Sequence, residues 1–271
     1  MTSGDDVAAN LDCARRLLEQ AAAAGASVAV LPENVAFMGR RDADKLQVAE
    51  SAGDGPMQHS LARAARELGI WVVAGTLPIR VPGEQRVAAA SLVFDARGEQ
   101  VARYDKIHLF DVAVPGKDET YFESRHIAPG ASRVVLDTPA GRLGLSVCYD
   151  IRFPELYREL VAAGATWFAV PAAFTVPTGE AHWETLLRAR AIENLAAVVA
   201  AGQVGSHPSG RATYGDSMIV DHWGVVRARL PAGEGVVVAE LNTAVQQRVR
   251  VEFPALTHRR QFIDNGESTT E

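Results

Sequence analysis

Three polar residues stand where apolar runs of the chain stop: Glu33 after VAVLP, Lys106 after the QVARY segment, and Cys148 after LGLSV. In sheets covered by helices, side chains converge on ligands at the carboxyl ends of strands. An acid, an amine and a thiol in such places suit nucleophilic acyl chemistry. A thiol with a pKa near about 8.5 attacks poorly until a base removes its proton, and Glu33 is a candidate base. An ammonium at Lys106 and the backbone N–H of Tyr149 are suited to stabilise the negative charge that builds on an attacked carbonyl. The chemistry needs no metal and no cofactor. Taken singly, each residue has an ordinary explanation: a buried cysteine fills space, a loop glutamate faces water, a lysine ends a strand. Their joint occurrence favours chemistry, as does the polar and aromatic turn YDIRFPE behind Cys148, which is unusual for a core thiol.

Other candidates are weaker. Cys13 lies in an alanine-rich helix and reads as packing. His108, His126, His182 and His207 show no metal-ligand spacing. Gly53-Asp54-Gly55 lacks the lysine of a phosphate loop, and Arg259-Arg260 is too short a basic run for nucleic acid.

The elements that must position the three residues follow from apolar periodicity and turn residues. Helices are expected at 10–24, 57–68, 154–163 and 179–194, and strands at 27–31, 70–75, 143–147, 166–170, 196–202 and 235–241. Two hairpins, 89–94 with 100–104 and 214–220 with 225–230, turn through DARG and DHWG. Strands mixed with helices imply a mixed sheet covered by helices, and the two hairpins suggest two sheets packed together.

The chain has 271 residues, 48% of them hydrophobic and 22% charged, and no linker divides it. One domain over 1–271 is expected, with about 262–271 as a flexible tail. The net charge of −6 gives no electrostatic reason to hold nucleic acid or an anionic membrane. Two cysteines cannot build a disulfide framework, the first ten residues lack a signal-peptide pattern, and no apolar run approaches the roughly 18 residues of a membrane helix. A cytoplasmic protein acting on a small molecule is expected.

Over 10–260 these segments resemble the nitrilase, or carbon–nitrogen hydrolase, superfamily. The matching motifs are LPEN (Leu31 to Asn34), YDKIHLFDV (Tyr104 to Val112), YFES with APG (Tyr121 to Ser124, Ala128 to Gly130) and GLSVCYDIRFPELYREL (Gly144 to Leu160). PAAFT (Pro171 to Thr175), TGEAHWETLLRARAIEN (Thr178 to Asn194) and YGDSMIVDHWG (Tyr214 to Gly224) follow in order. The resemblance implies an α/β fold, a four-layer α-β-β-α sandwich, and a Glu-Lys-Cys triad at Glu33, Lys106 and Cys148. It also implies a second glutamate at Glu123 that holds Lys106 charged, and a homodimer. Tyr149, Phe174, Thr175 and Arg152 are the expected substrate contacts, the last through a guanidinium–carboxylate pair. The chain looks most like the branch that contains deaminated-glutathione amidase and ω-amidase. An amide of 2-oxoglutarate is therefore the expected substrate, with other acyl groups or a non-catalytic binding role as alternatives.

Three residues depart from that pattern: Asp216, where relatives carry His and which is expected near the substrate entrance, His222 and Leu195. Relatives also open with a strand, whereas nothing apolar precedes the first helix here. The usual first strand is expected to be missing, with roughly eight residues of it lying upstream of Met1. Each neighbouring buried N–H or C=O left unpaired costs about 1–3 kcal/mol.

Overall fold

The computed structural model describes residues 1–113 and 120–260, so the expected tail at 262–271 lies outside the described residues. Asp6 starts the first helix, α1 (Val7–Ala23), by accepting the Ala9 N–H at 3.1 Å, one of the donors every helix start leaves unpaired. Its buried residues Asn10, Ala14, Leu17, Leu18 and Ala21 recur every three or four positions and form one inward face. After β1 (Val28–Val30) come the short α2 (Lys45–Val48) and α3 (Pro56–Leu68), the latter with proline in its first turn and left-handed Gly69 at its end. Then β2 (Trp71–Val73), β3 (Leu77–Arg80), β4 (Val87–Phe94) and β5 (Gln100–Asp105) complete a five-stranded sheet ordered β1-β2-β4-β3, with β5 also on β4.

The hairpin β6 (Asp111–Ala113) and β7 (Thr120–Phe122) leads into the second half. There β8 (Val135–Thr138), β9 (Gly141–Leu145), α4 (Pro154–Ala162), β10 (Trp167–Ala172), α5 (Val176–Asn194) and β11 (Ala197–Gly202) alternate. The small hairpin β12 (Val204–Ser206) and β13 (Ala212–Tyr214), then β14 (Ser217–Val220), β15 (Val226–Leu230) and α6 (Thr243–Glu252), follow. The second sheet runs β15-β14-β11-β10-β9-β8, with β9, β10 and β11 parallel and the remaining pairs antiparallel.

Strand periodicity explains the layering, because successive side chains leave opposite faces of a sheet. Val72 and Leu92 pack with Leu17, Leu18, Leu61 and Ala65 of α1 and α3. Their neighbours Val73 and Val93 face the other way, into a core with Leu145, Phe168 and Val198 of the second sheet. That core continues to Tyr157, Leu160, Trp183 and Leu187 on α4 and α5. The result is the expected α-β-β-α sandwich, and it buries β4 at all eight positions.

Several elements were not expected, among them α2, the β6–β7 hairpin, β8 and β12, and three further differences have a clear physical reason. β3 carries Pro78, whose missing N–H argues against a strand; it is tolerated because β3 ends its sheet. α6 buries only Gln246, so no apolar stripe announces it. Residues 235–241, expected as a strand, join no ladder. A strand needs a partner, and across from them lies a sheet edge that no described residue pairs.

That edge belongs to β1, which pairs with β2 and, among the described residues, with no other strand. Between β1 and residues 235–241 runs a groove of about 1540 Å³, open to solvent and floored by Leu17, Leu18, Val199 and Ile219. No strand precedes α1 among the described residues, and Met1 sits buried at the groove, its carbonyl accepting the Val204 N–H at 3.1 Å.

Candidate active site

The ends of β1, β5 and β9 meet at one cleft that opens to solvent. Glu33 reaches it because the chain after β1 runs against Gly75. A Cβ at Gly75 would lie 1.9 Å from the Pro32 carbonyl oxygen, and the φ of +59° also favours glycine. The loop is then pinned from both sides: Asn34 N–H donates to Thr76 Oγ1 at 2.8 Å, and the Gln203 amide donates to the Glu33 carbonyl at 2.9 Å. Gln203 is itself held by Ser3, so the first residues of the chain support the loop that carries Glu33.

Lys106 follows β5 directly. Its backbone continues the ladder, donating to Ala89 O at 3.1 Å, while its side chain is 2% exposed. Nζ donates to Glu33 Oε1 at 2.8 Å and to both carboxylate oxygens of Glu123, at 3.0 and 2.9 Å. Glu123 is fixed in turn by the Phe110 N–H at 2.7 Å. One buried ammonium therefore bridges two carboxylates that arrive from separate segments.

Cys148 opens a short 3-10 turn, Cys148–Arg152, with a left-handed φ of +48°; Asn34, beside Glu33, is also left-handed at +55°. The turn is organised by Asp150, which is fully buried. Its carboxylate accepts from Val147 N–H at 2.8 Å, Tyr104 O–H at 2.7 Å and His108 N–H at 3.0 Å, and lies 2.7 Å from His108 Nδ1. Tyr104 and His108 flank Lys106, so Asp150 ties the cysteine turn to the lysine strand. The Cys148 thiol lies on the same cleft wall as the Glu33 carboxylate and within reach of its charge.

The charges of this cluster have definite directions. Burial works against an ionised Glu33, yet the charge and hydrogen bond of Lys106 outweigh it and hold the carboxyl below its usual range. Burial likewise opposes a charged Lys106, but Glu123 and Glu33 keep it protonated well above the ordinary lysine range. Burial first, and the Glu33 charge second, push the Cys148 thiol up, against the opposing pull of Lys106. The resting state is a neutral thiol against a carboxylate and an ammonium.

All eight residues expected from sequence line this cleft: Glu33, Lys106, Glu123, Cys148, Tyr149, Arg152, Phe174 and Thr175. Tyr149 packs edge-on against Phe110 and Phe153, and Thr175 Oγ1 is 2.8 Å from Thr178 Oγ1. Arg152 pairs with neither Asp150 nor Glu155; its guanidinium lies over the rings of Phe174 and Tyr149, at 5.4 and 5.8 Å. Asp216 corrects an expectation. It is not on the cleft wall but 2% exposed behind it, in a two-pronged pair with Arg229 at 2.7 and 2.9 Å. The acid at this departure is explained by its partner, not by substrate. Sequence reasoning passed over Asp150 and Arg211. Asp150 sits inside a motif already singled out, YDIRFPE, and Arg211 just ahead of another, YGDSMIVDHWG, but neither has a type and position that mark it before the contacts are seen. Among the described residues no cluster of three or more His, Cys, Asp or Glu is placed to hold a metal ion, and no helix is long and apolar enough to cross a membrane.

A four-layer sandwich with a thiol, a carboxylate and a buried ammonium gathered at its strand ends suits hydrolysis of carbon–nitrogen bonds. The chain belongs to the carbon–nitrogen hydrolase family, which it matches over residues 2–251. It is therefore a hydrolase of carbon–nitrogen bonds other than peptide bonds, an amidase. It is 41% identical to the deaminated glutathione amidase of Yersinia enterocolitica, over 96% of this chain and 91% of that protein. The human deaminated glutathione amidase is also 41% identical, over 96% of this chain and 80% of its own length. Among solved structures, the NitFhit protein of Caenorhabditis elegans superimposes with a TM-score of 0.88 at 39% identity, covering 96% of this chain and 63% of that one.

Proposed function

We propose that this amidase cleaves deaminated glutathione to 2-oxoglutarate and cysteinylglycine through a thioester at Cys148. The observation that carries the chemistry is the buried ammonium of Lys106 held 2.8 Å from Glu33 beside the thiol. The names and near-full-length similarity of the relatives support the substrate. Glu33, ionised at rest, takes the thiol proton as the sulfur attacks the amide carbon. The C=O electron pair moves to oxygen, where Lys106 Nζ and the Tyr149 N–H stabilise it. Glu33 returns the proton to the leaving nitrogen as the C–N bond breaks, and free cysteinylglycine departs. Glu33 then takes a proton from water, whose oxygen attacks the thioester carbon. The C–S bond breaks, the thiol is reprotonated and 2-oxoglutarate leaves. Glu123 keeps Lys106 charged throughout, and no step calls on a cofactor. Phe174, Thr175 and Arg152 shape the walls that hold the substrate.

A homodimer and a cytoplasmic setting, without nucleic acid or membrane partners, belong to this proposal; light scattering and cell fractionation check them. The function itself is tested by following 2-oxoglutarate release from deaminated glutathione and from 2-oxoglutaramate, side by side, with Cys148→Ala as control. Preference for the first, lost in the variant, is the expected result. Preference for the second keeps the mechanism and overturns the substrate, and activity that survives in Cys148→Ala overturns both.

A further inference from the structure

The two sheets meet through apolar side chains such as Val73, Val93, Leu145 and Phe168, whose attraction is non-directional, yet the site divides its chemistry between them. Glu33 and Lys106 follow strands of the first sheet, and Cys148 comes shortly after β9 of the second. Polar ties across the interface therefore set the separation of base and nucleophile. Asp150 ties the cysteine turn to Tyr104 and His108, on either side of Lys106. Gln203 makes the corresponding tie for Glu33. It directly follows β11, its main-chain N–H donates to the carbonyl of Ala172 at the end of β10 at 2.9 Å, and its amide donates to the Glu33 carbonyl at 2.9 Å. Thr76, which accepts the Asn34 N–H, lies between β2 and β3 of the first sheet and travels with the base, whereas Gln203 arrives from the second. The loop gives this tie something to resist, because Asn34 holds a left-handed φ of +55° that an untethered asparagine readily leaves.

Gln203 is itself locked. Its Oε1 accepts the Ser3 N–H at 3.0 Å, its Nε2 also donates to Ser3 Oγ at 2.6 Å, and Ser3 Oγ donates to the Val35 carbonyl at 3.0 Å. His207 Nδ1 lies 2.8 Å from the Ser3 carbonyl, which can only accept, so that nitrogen carries the proton. Burial holds the imidazole below its ordinary range and thus neutral, and Nε2 accepts the Thr213 hydroxyl at 2.7 Å. Ser3, Gln203, His207 and Thr213 are all buried, and a buried polar knot whose members are satisfied is stiff. Resting on the amidase proposal, we infer that Gln203 is a positioning residue for the reaction: it fixes Glu33, carried by one sheet, against Cys148, carried by the other, while Ser3 and His207 fix Gln203. Glu33 takes a proton first from the thiol and then from water, so a misplacement of about 1 Å acts on both steps and falls on kcat more than on KM.

Gln203→Met keeps the length of the side chain and removes its hydrogen bonds. Gln246→Met does the same to a buried glutamine of α6 that donates to the carbonyls of Thr166 and Leu195 and does not line the cleft. Both variants melt below the wild type, but Gln203→Met alone loses about 10- to 100-fold in kcat for amide hydrolysis, with KM within about threefold. Iodoacetamide gives a second reading, in which the Cys148 sulfur displaces iodide from carbon while Glu33 takes the thiol proton. Gln203→Met slows this alkylation about tenfold and, in a Glu33→Gln background, slows it no further. Ser3→Ala, which spares the bond between Gln203 and Glu33, shows the same pattern at about threefold and takes the place of Gln203→Met should that variant not fold. Alkylation faster than in the wild type, a further loss in the Glu33→Gln background, or an equal loss from Gln246→Met shows a merely structural role and overturns the inference, as does a kcat within about twofold of the wild type. A wild type that hydrolyses no amide defeats the amidase proposal instead. Alkylation then decides the positioning role by itself: slowing by Gln203→Met that vanishes in the Glu33→Gln background supports it, and any other pattern overturns it.

Discussion

Replacing Asp150 by Asn changes one atom and sets two parts of the site against each other. The carboxylate serves Val147 N–H and Tyr104 O–H with one oxygen and the His108 backbone N–H and Nδ1 with the other. An amide has one acceptor oxygen, so its NH2 must face either Val147 or His108, and a main-chain N–H then meets another donor. Each buried donor left without an acceptor costs about 1–3 kcal/mol. The bonds that survive lose their charge assistance, worth roughly another 1 kcal/mol together. The sum, about 2–4 kcal/mol, is a large part of a typical stability of about 5–15 kcal/mol. At roughly 2–4 °C per kcal/mol for a chain of this size, Asp150→Asn melts about 5–15 °C lower, whereas the exposed Glu155→Gln melts within about 2 °C of wild type. Because Asp150 also aims the cysteine turn, kcat for amide hydrolysis drops at least about tenfold. Scanning calorimetry and steady-state kinetics measure both. A variant that melts with the wild type and turns over within about twofold of it refutes the view that Asp150 organises the site.

Lys106→Met leaves Glu33 and Glu123 buried without their cation; urea titration shows a loss of about 3–5 kcal/mol, partly regained when Glu123→Gln is added, and activity is lost. In acid, the depressed Glu33 carboxyl stabilises the fold fully above the ordinary glutamate range, and that contribution disappears as pH falls through its lowered value, so melting against pH shows the loss displaced to the acid side. The raised Lys106 gives the opposite limb: its contribution is present up to the ordinary lysine range and is lost only as pH rises through the higher folded value. Iodoacetamide labels Cys148 more slowly at pH 7 than a free thiol does, read by mass spectrometry, because burial and Glu33 keep it protonated. An extended apolar strand of about six residues fused ahead of Met1 raises the melting temperature by about 5 °C or more, and the same segment carrying proline at alternate positions does not.

The strand ends that bear Glu33, Lys106 and Cys148 were legible because each apolar run stops abruptly at a polar residue of the right type, and the hairpin 89–104 because its turn is written in Asp and Gly. Two packed sheets were suggested by the two hairpins, and the four layers followed from the family resemblance; which face each valine and leucine of β2 and β4 serves shows only in the structure. What sequence did not show depends on partners distant in the chain. Asp216 looked like a residue of the substrate entrance until Arg229, thirteen residues later, proved to be its partner. Residues 235–241 have strand composition but no ladder, because composition says nothing about whether a neighbour is there. Arg211 is one arginine among many until the structure brings it to the cleft that holds Glu33.

The left-handed turn at Cys148 places a limit on how far this protein can be stabilised. A side chain in that conformation costs roughly 1–2 kcal/mol relative to the right-handed region, and glycine alone would escape the penalty. At most positions selection could accept that relief, but a glycine has no sulfur. The proposed nucleophile is thus lodged on a tensioned link, and the Cys148→Gly chain should outlast the unaltered protein on heating wherever the lost thiol contacts are worth less than the released strain. Durability and reactivity compete here within a single residue.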